Sequence, residues 1–215
     1  MNKLLLENGF SIEPNGSADT CYMAHTHTYS KGEMILRHLR DTMETAIVLE
    51  GTVLLINVNS DGQKSILDIC REGDAFGGGI FPEQGLGGCY AIAKTKCMIS
   101  YVDYGRLIHC CGKSCDKHAD LIDFLLGTAA RRSVAHIDIL SRRTIREKLL
   151  TVFDYFLDKD KRTEQTLPVS LSELADYLCC DRSAMMREIK RLNDAGIISS
   201  RGNKITLKTK LNDVV

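Results

Sequence analysis

One segment near the C-terminus constrains the fold of this chain more than any other part: Ser170–Leu207, SLSELADYLCCDRSAMMREIKRLNDAGIISSRGNKITL. Ser170 and Glu173 have the spacing of a capping box, in which a hydroxyl accepts from a free backbone N–H and the carboxylate reaches back to the helix start. Apolar residues at helical spacing follow at Leu171, Leu174, Ala175 and Leu178. The segment therefore begins with a short amphipathic helix.

A tight corner and a second helix come next. Cys179-Cys180 is too short for an ordinary loop and suits a helix–helix corner, with both thiols packed into the core beneath it. Asp181 can cap a second helix from Arg182 to about Asn193, and Gly196 can supply its left-handed C-cap.

The end of the segment predicts a small hairpin. Ile197-Ile198 and Ile205-Thr206-Leu207 flank the turn residues Arg201-Gly202-Asn203. Two helices, a corner and a hairpin indicate a winged helix-turn-helix. A helical hairpin with a solvated basic face is the alternative.

The exposed face of the second helix carries the chemistry of DNA reading. An arginine near the N-terminus of such a helix can fork onto guanine O6 and N7 in the major groove, and phosphate contacts position the module. The predicted DNA-binding residues are Arg182, Ser183, Arg187, Ser170, Lys190, Arg201 and Lys204.

Charge supports a polyanion partner for the C-terminal part only. Residues 1–140 hold 13 Lys+Arg and 17 Asp+Glu, whereas residues 141–215 hold 15 and 11. Nine cysteines without a secretory signal argue against a disulfide framework. Since no apolar run approaches the ~20 residues of a membrane span, we expect a cytoplasmic protein with no membrane partner.

The N-terminal half reads as β structure followed by a helical region. Short strands broken by glycine between about Tyr29 and Tyr104 predict a barrel or sandwich. Lys113–Phe156 reads as helix, interrupted by a hinge at Ser141–Thr144. A candidate dimer seam alternates steps of four and three, with packing on its own barrel as the alternative. The seam comprises Ile122, Leu126, Ala129, Ser133, His136 and Leu140.

Barrel, long helix and winged helix in this order resemble the cAMP receptor protein/FNR family of bacterial transcription regulators. The strings that carry the resemblance are Tyr29-Ser30-Lys31-Gly32-Glu33, Ile47-Val48-Leu49-Glu50-Gly51, Glu72-Gly73-Asp74-Ala75-Phe76-Gly77, Ala93-Lys94-Thr95-Lys96-Cys97, Thr144-Ile145-Arg146-Glu147-Lys148-Leu149 and the segment 170–207. The resemblance implies an α+β fold: a cyclic-nucleotide-binding-like β-roll at 1–112, a central dimerisation helix at 113–141 and a winged helix-turn-helix at 142–215.

The chain departs from the family where members bind cyclic nucleotide. The ribose-binding Glu falls at Gly78, and the phosphate-binding Arg-Ser pair falls at Gly87-Gly88. A buried cyclic phosphate without an arginine would be an uncompensated anion, so we expect an effector other than cAMP. Backbone N–H groups of the glycines could still serve as donors. The predicted effector pocket comprises Phe76, Gly77, Gly78, Gly87, Gly88 and Cys89.

Several cysteines and histidines leave alternatives open. Cys110, Cys111 and Cys115 lie where the β-roll passes into the central helix, and the N-terminus of a helix lowers the pKa of thiols. Three interpretations are open for these cysteines: inert thiols, a redox or metal sensor, or haem ligands. The pair His25 and His27 forms a polar strand edge or a cupin-like metal site. Cys89 is expected to pack as a small hydrophobe, and Arg131-Arg132 to form a solvated helix face.

These observations predict a homodimeric, sequence-specific transcription regulator and no enzyme. Its partners would be a palindromic operator in double-stranded DNA, an unidentified effector or redox signal at the β-roll and, as a further candidate, RNA polymerase. The cofactor stays unknown. The alternative function is a small-molecule- or metal-binding cupin-like barrel.

Overall fold

The computed structural model describes residues 4–5, 11–12, 24–36, 43–78, 80, 88–109 and 116–209. The chain divides into two compact units, Met1–Arg132 and Ser133–Val215. The division falls inside the predicted central helix, which contributes residues to both units.

The first unit is built on two four-stranded antiparallel sheets. Their strand orders are β3-β10-β5-β8 and β4-β9-β6-β7, and a separate pair β1-β2 precedes them. The strands are β1 (Leu4–Leu5), β2 (Ser11–Ile12), β3 (Ala24–Tyr29), β4 (Met34–Leu36), β5 (Glu44–Glu50), β6 (Val53–Val58), β7 (Lys64–Cys70), β8 (Ala75–Gly77), β9 (Tyr90–Ala93) and β10 (Cys97–Asp103). Two helices of this part follow: α1 (Tyr104–Ile108) and α2 (Asp116–Ser141).

Strand β5 is apolar on both faces because each face is covered. Ala46 and Val48 join a cluster between the sheets, with Phe76 and Tyr101. Ile47 and Leu49 point to the other face and pack with residues of α1 and α2. A strand buried on two sides reads as a continuous apolar run, which explains the TAIVL sequence.

The second unit holds the remaining elements. They are α3 (Ile145–Phe156), β11 (Gln165–Thr166), α4 (Leu171–Tyr177), α5 (Arg182–Asp194), β12 (Ile198–Arg201) and β13 (Lys204–Leu207). The predicted winged helix-turn-helix is confirmed, and so is the interruption between α2 and α3. Strand β11 was not predicted: it adds a third strand to the predicted hairpin, and the sheet order is β11-β13-β12.

In the part of the chain that the structure describes, no helix combines the length and the apolar character needed to cross a bilayer.

Candidate nucleic-acid interface

Helix α5 is fixed by its cap and by its inner face. The Asp181 carboxylate accepts from the backbone N–H of Ala184 at 2.7 Å. Met185, Ile189 and Leu192 are buried on one side, so the helix cannot rotate without losing core contacts. The opposite side forms a shallow surface concavity lined by Arg182, Ser183, Met186, Arg187 and Lys190.

Helix α4 begins with the predicted capping box. The backbone N–H of Ser170 donates to Glu173 at 2.8 Å, and its hydroxyl donates to the same carboxylate at 2.6 Å. The hydroxyl predicted to contact phosphate is therefore already engaged within its own helix start.

The corner between α4 and α5 is held by two other helices. Nε2 of His136, on α2, donates to the Tyr177 carbonyl at 3.0 Å, and its ring stacks on the Tyr177 ring at 4.0 Å. Lys148, on α3, donates to the Leu178 carbonyl at 3.2 Å. Both carbonyls lie at the end of α4, where helix carbonyls lack intrahelical partners.

The cysteines at this corner differ from the expectation. Cys179 is exposed with φ +49°, a left-handed conformation that favours glycine. It does not pack into the core, because the chain must reverse at this residue. Cys180 is half-buried, and burial raises the pKa of its thiol.

A single carboxylate divides the cations around α5 into two groups. Glu188, 12% exposed, lies 3.4 Å from Arg146 and 3.0 Å from Arg191. Among the described residues no carboxylate lies within ion-pair distance of Arg182, Arg187 or Lys190. The cations without an ion pair therefore lie on the outer face of α5, where Arg182 is also near enough to the Asp176 carboxylate to oppose the rise in its pKa.

The wing carries the two remaining predicted contacts. Arg201 is exposed at the end of β12, next to Gly202 with φ +60°. Lys204 forms an exposed ion pair with Glu164 at 3.0 Å. The exposed pair contributes at most about 1 kcal/mol, so Lys204 can exchange this partner at little cost.

Two residues of the predicted dimer seam on α2 have partners within their own chain. Ile122 packs against the apolar cluster of its own unit, and His136 is stacked on Tyr177. Among the described side chains of α2, the large apolar ones that are exposed are Leu126, Val134 and Ile137, at 58%, 66% and 67%.

The predicted effector residues are partly used by the fold. Phe76 and Cys89 are buried in the core, as expected for Cys89, whose thiol donates to Asn57 at 3.2 Å. The Gly78 N–H donates to the Glu44 carbonyl at 2.9 Å. That N–H is therefore not a free donor for a ligand, contrary to the expectation.

Two more glycines of the predicted pocket sit in constrained places. A Cβ on Gly77 would lie 2.9 Å from the Glu44 carbonyl oxygen, and φ there is +96°. Gly88 is exposed, and a Cβ there would lie 3.0 Å from the Val58 carbonyl oxygen. Gly87 lies outside the described residues.

Arg132 corrects the prediction of a solvated Arg131-Arg132 face. Arg131 is exposed, but Arg132 is 5% exposed. Its guanidinium lies 2.8 Å from Asp68 and 3.2 Å from Asp74, and it donates to the Ala75 carbonyl at 2.7 Å.

The environment of Arg132 keeps its charge. Burial opposes the charged form, but the neighbouring acidic groups Cys70, Asp68 and Asp74 outweigh it and raise the pKa of Arg132 above its ordinary value. Burial in turn raises the pKa of the Cys70 thiol. Sequence reasoning missed this cluster because Arg132 lies more than fifty residues after Asp68, Cys70 and Asp74.

The histidines of β3 lie on an edge strand. His25 and His27 are exposed; His25 lies 3.6 Å from Glu44 and stacks on Tyr101. In the described ranges no three His, Cys, Asp or Glu side chains are grouped as metal ligands. Cys110, Cys111 and Cys115 lie outside the described residues.

Comparisons with known proteins agree with both units. A family model described as a cyclic nucleotide-binding domain matches residues 26–114, and one described as a Crp-like helix-turn-helix domain matches residues 121–210. A relative from Pasteurella multocida (strain Pm70), named a cAMP-activated global transcriptional regulator, is 26% identical over 195 residues, covering 85% of this chain and 90% of the relative.

Solved structures share the fold. FixK2 from Bradyrhizobium japonicum has a TM-score of 0.70 at 22% identity, covering 89% of this chain and 96% of that one. The c-di-GMP-responsive global regulator CLP from Xanthomonas campestris has a TM-score of 0.65 at 21% identity, covering 86% and 94%.

Proposed function

This chain belongs to the cAMP receptor protein/FNR family of DNA-binding transcription regulators, and we propose that two copies read a palindromic operator, each with the outer face of its α5. The observation that carries the proposal is the set of cations without an ion pair at Arg182, Arg187 and Lys190. Such a face suits a groove lined by acceptors and flanked by phosphates.

Each polar residue of the interface has a role set by its chemistry. Arg182 and Arg187 each donate two hydrogen bonds, to O6 and N7 of a guanine. The Ser183 hydroxyl can donate to a base edge or accept from one. Lys190 and Arg201 approach phosphates and fix the register. Ser170 fixes the start of α4 through its capping box. Lys204 binds a phosphate after its ion pair with Glu164 breaks.

Dimerisation uses the apolar side chains that α2 leaves exposed. Helical spacing places Leu126, Val134 and Ile137 within one stripe of α2. Covering them with the same stripe of a second copy removes apolar surface from water. Ile137→Lys should therefore shift the protein to monomer in sedimentation velocity, whereas the polar exposed neighbour Asp138→Lys should not.

The effector that controls operator affinity is not cAMP. Relatives with this architecture are named for different effectors, cAMP in one case and c-di-GMP in another. Here Gly78 stands where a ribose-binding Glu would be, and its N–H is engaged with Glu44. Calorimetric titration with cAMP should give no binding heat. Micromolar cAMP affinity would contradict this part of the proposal.

The central experiment is a binding titration of the full-length protein. A duplex selected from a random pool is titrated at several salt concentrations, and the logarithm of affinity should fall linearly with the logarithm of salt, by about 0.9 per phosphate contact. The double variant Arg182→Ala/Arg187→Ala should lose about 30-fold or more of specific affinity, since each bidentate contact is worth about 1–3 kcal/mol.

Arg191→Ala is the matched control for that experiment. It removes the same charge from the same helix, but at a residue already paired with Glu188. It should leave sequence preference unchanged. Equal losses for Arg187→Ala and Arg191→Ala would mean that only bulk charge matters, and the reading role of α5 would fail.

A further inference from the structure

The outer face of α5 contains one apolar side chain among its donors. Met186 is 40% exposed and lines the same concavity as Arg182, Ser183, Arg187 and Lys190. Its neighbour Met185 is fully buried. The two methionines therefore have separate roles: Met185 belongs to the core, and Met186 belongs to the surface that faces DNA in the proposed function.

The position of Met186 matters more than its exposure. Single exposed apolar side chains are common on protein surfaces. Within the described residues of α3 to β13, however, Met186 is the only large hydrophobic side chain that is exposed. The residues around it on this face are cations and a hydroxyl, which can donate hydrogen bonds to acceptors. The Met186 side chain has no hydrogen-bond donor.

Major-groove chemistry offers one apolar group to such a side chain. Bases present hydrogen-bond donors and acceptors there, and thymine adds its C5 methyl. A flexible, polarizable thioether chain can adjust its conformation to contact such a methyl group in the groove. Since Met186 is four residues from Arg182 and lines the same concavity as Arg187, it reaches the groove together with the guanine-reading arginines.

We propose that Met186 is a specificity-determining residue that reads a thymine by contact with its C5 methyl. The inference rests on the proposed function, because it requires α5 to enter the major groove. It adds a base preference that none of the polar residues on this face can supply. Ser183 tolerates any base, whereas an apolar contact favours the methylated pyrimidine.

The test removes the methyl from the DNA rather than the side chain from the protein. Each thymine of the selected half-site is replaced in turn by deoxyuracil, which keeps base pairing and loses only the methyl. One replacement should weaken binding of the wild-type protein about fourfold per half-site, the loss expected for one buried methyl at ~0.8 kcal/mol. Both half-sites together should give about fifteenfold.

Protein variants connect that loss to Met186. Met186→Ala should bind the thymine and uracil duplexes equally, and Met186→Leu should keep the discrimination. Met34→Ala, the same substitution at a methionine of similar exposure (46%) on β4, should behave as the wild type. A half-site without thymine, a wild-type protein insensitive to every uracil, or an unchanged loss in Met186→Ala would each overturn the inference.

The outcomes separate this inference from the proposed function. Suppose that replacing guanines of the half-site and the variant Arg182→Ala/Arg187→Ala both weaken binding, while no thymine-to-uracil replacement changes affinity. Then α5 reads DNA and only the role of Met186 is wrong. If no duplex is selected and binding does not depend on salt, the proposed function itself fails.

Discussion

Arg132 of the first unit and two arginines of the second unit, Arg182 and Arg187, are used in opposite ways. In the first unit, Arg132 is buried and surrounded by Asp68, Asp74 and the Ala75 carbonyl. In the second unit, Arg182 and Arg187 are exposed and have no ion-pair partner among the described residues. A paired, buried arginine holds its own fold together, whereas an exposed, unpaired one is available to a ligand.

Removing the buried arginine should have the largest effect on stability. Arg132→Met would leave the half-buried carboxylates of Asp68 and Asp74, 16% and 18% exposed, without the cation that they share. Breaking such a pair costs about 3–5 kcal/mol. Urea unfolding at neutral pH measures this loss. Arg131→Met, on the exposed neighbour, should change the unfolding free energy by less than about 0.5 kcal/mol; similar losses would remove the contrast between the units.

Replacing an exposed arginine by lysine should leave stability alone and change specificity. Arg182→Lys keeps the charge but loses the planar fork that contacts two guanine atoms. We expect the preference for guanine at one position to fall about tenfold, within the 1–3 kcal/mol of a bidentate contact, with an unchanged salt slope. The measurement is competition between duplexes that differ at that base pair. An unaltered preference would show that Arg182 contacts phosphate instead.

A third change converts paired arginines into unpaired ones. Glu188→Gln removes the carboxylate shared by Arg146 and Arg191. Both guanidiniums then become available to phosphates, so non-specific affinity should rise a few-fold and the salt slope should steepen by about 1–2. Titration with an unrelated duplex tests this. An identical slope in the variant would mean that neither arginine faces the backbone of DNA.

The smallest effect concerns an exposed cap of the second unit. The Thr144 backbone N–H, and then its hydroxyl, lower the pKa of the Glu147 carboxyl. A carboxyl with a lowered folded pKa contributes stability that is present above its unfolded value, about 4.3, and is lost as pH falls through the folded value. The difference in unfolding free energy between the wild type and Glu147→Gln should therefore disappear on acidification. A constant difference across that range would exclude the capping carboxylate as its source.

The winged helix-turn-helix could be predicted because its sequence signals are local. Ser170 with Glu173, Asp181 and Gly196 mark helix ends within a few residues of each other, and the structure has each cap where the sequence placed it. The outer face of α5 followed from the buried positions of the same helix. No long-range contact was needed for either step.

Features that depend on distant partners could not be predicted in this way. Arg132 looked solvated because its partners, Asp68 on β7 and Asp74 in the turn after it, are far away in sequence. His136 looked like a seam residue because nothing local indicates that it stacks on Tyr177. Strand β11 was not predicted, since its two residues form a strand only by pairing with the distant β13. In each case the chain supplied the side chain, and tertiary structure decided its use.

The two side chains that hold the end of α4 set a limit on how the DNA-reading part can be isolated. A fragment starting at Ser170 would retain α4, α5 and the wing, yet it would lack the donors from His136 and Lys148. Two peptide oxygens at the bend would then depend on water. The shortest autonomous piece worth expressing for spectroscopy therefore starts ahead of His136 and carries the end of α2 and all of α3.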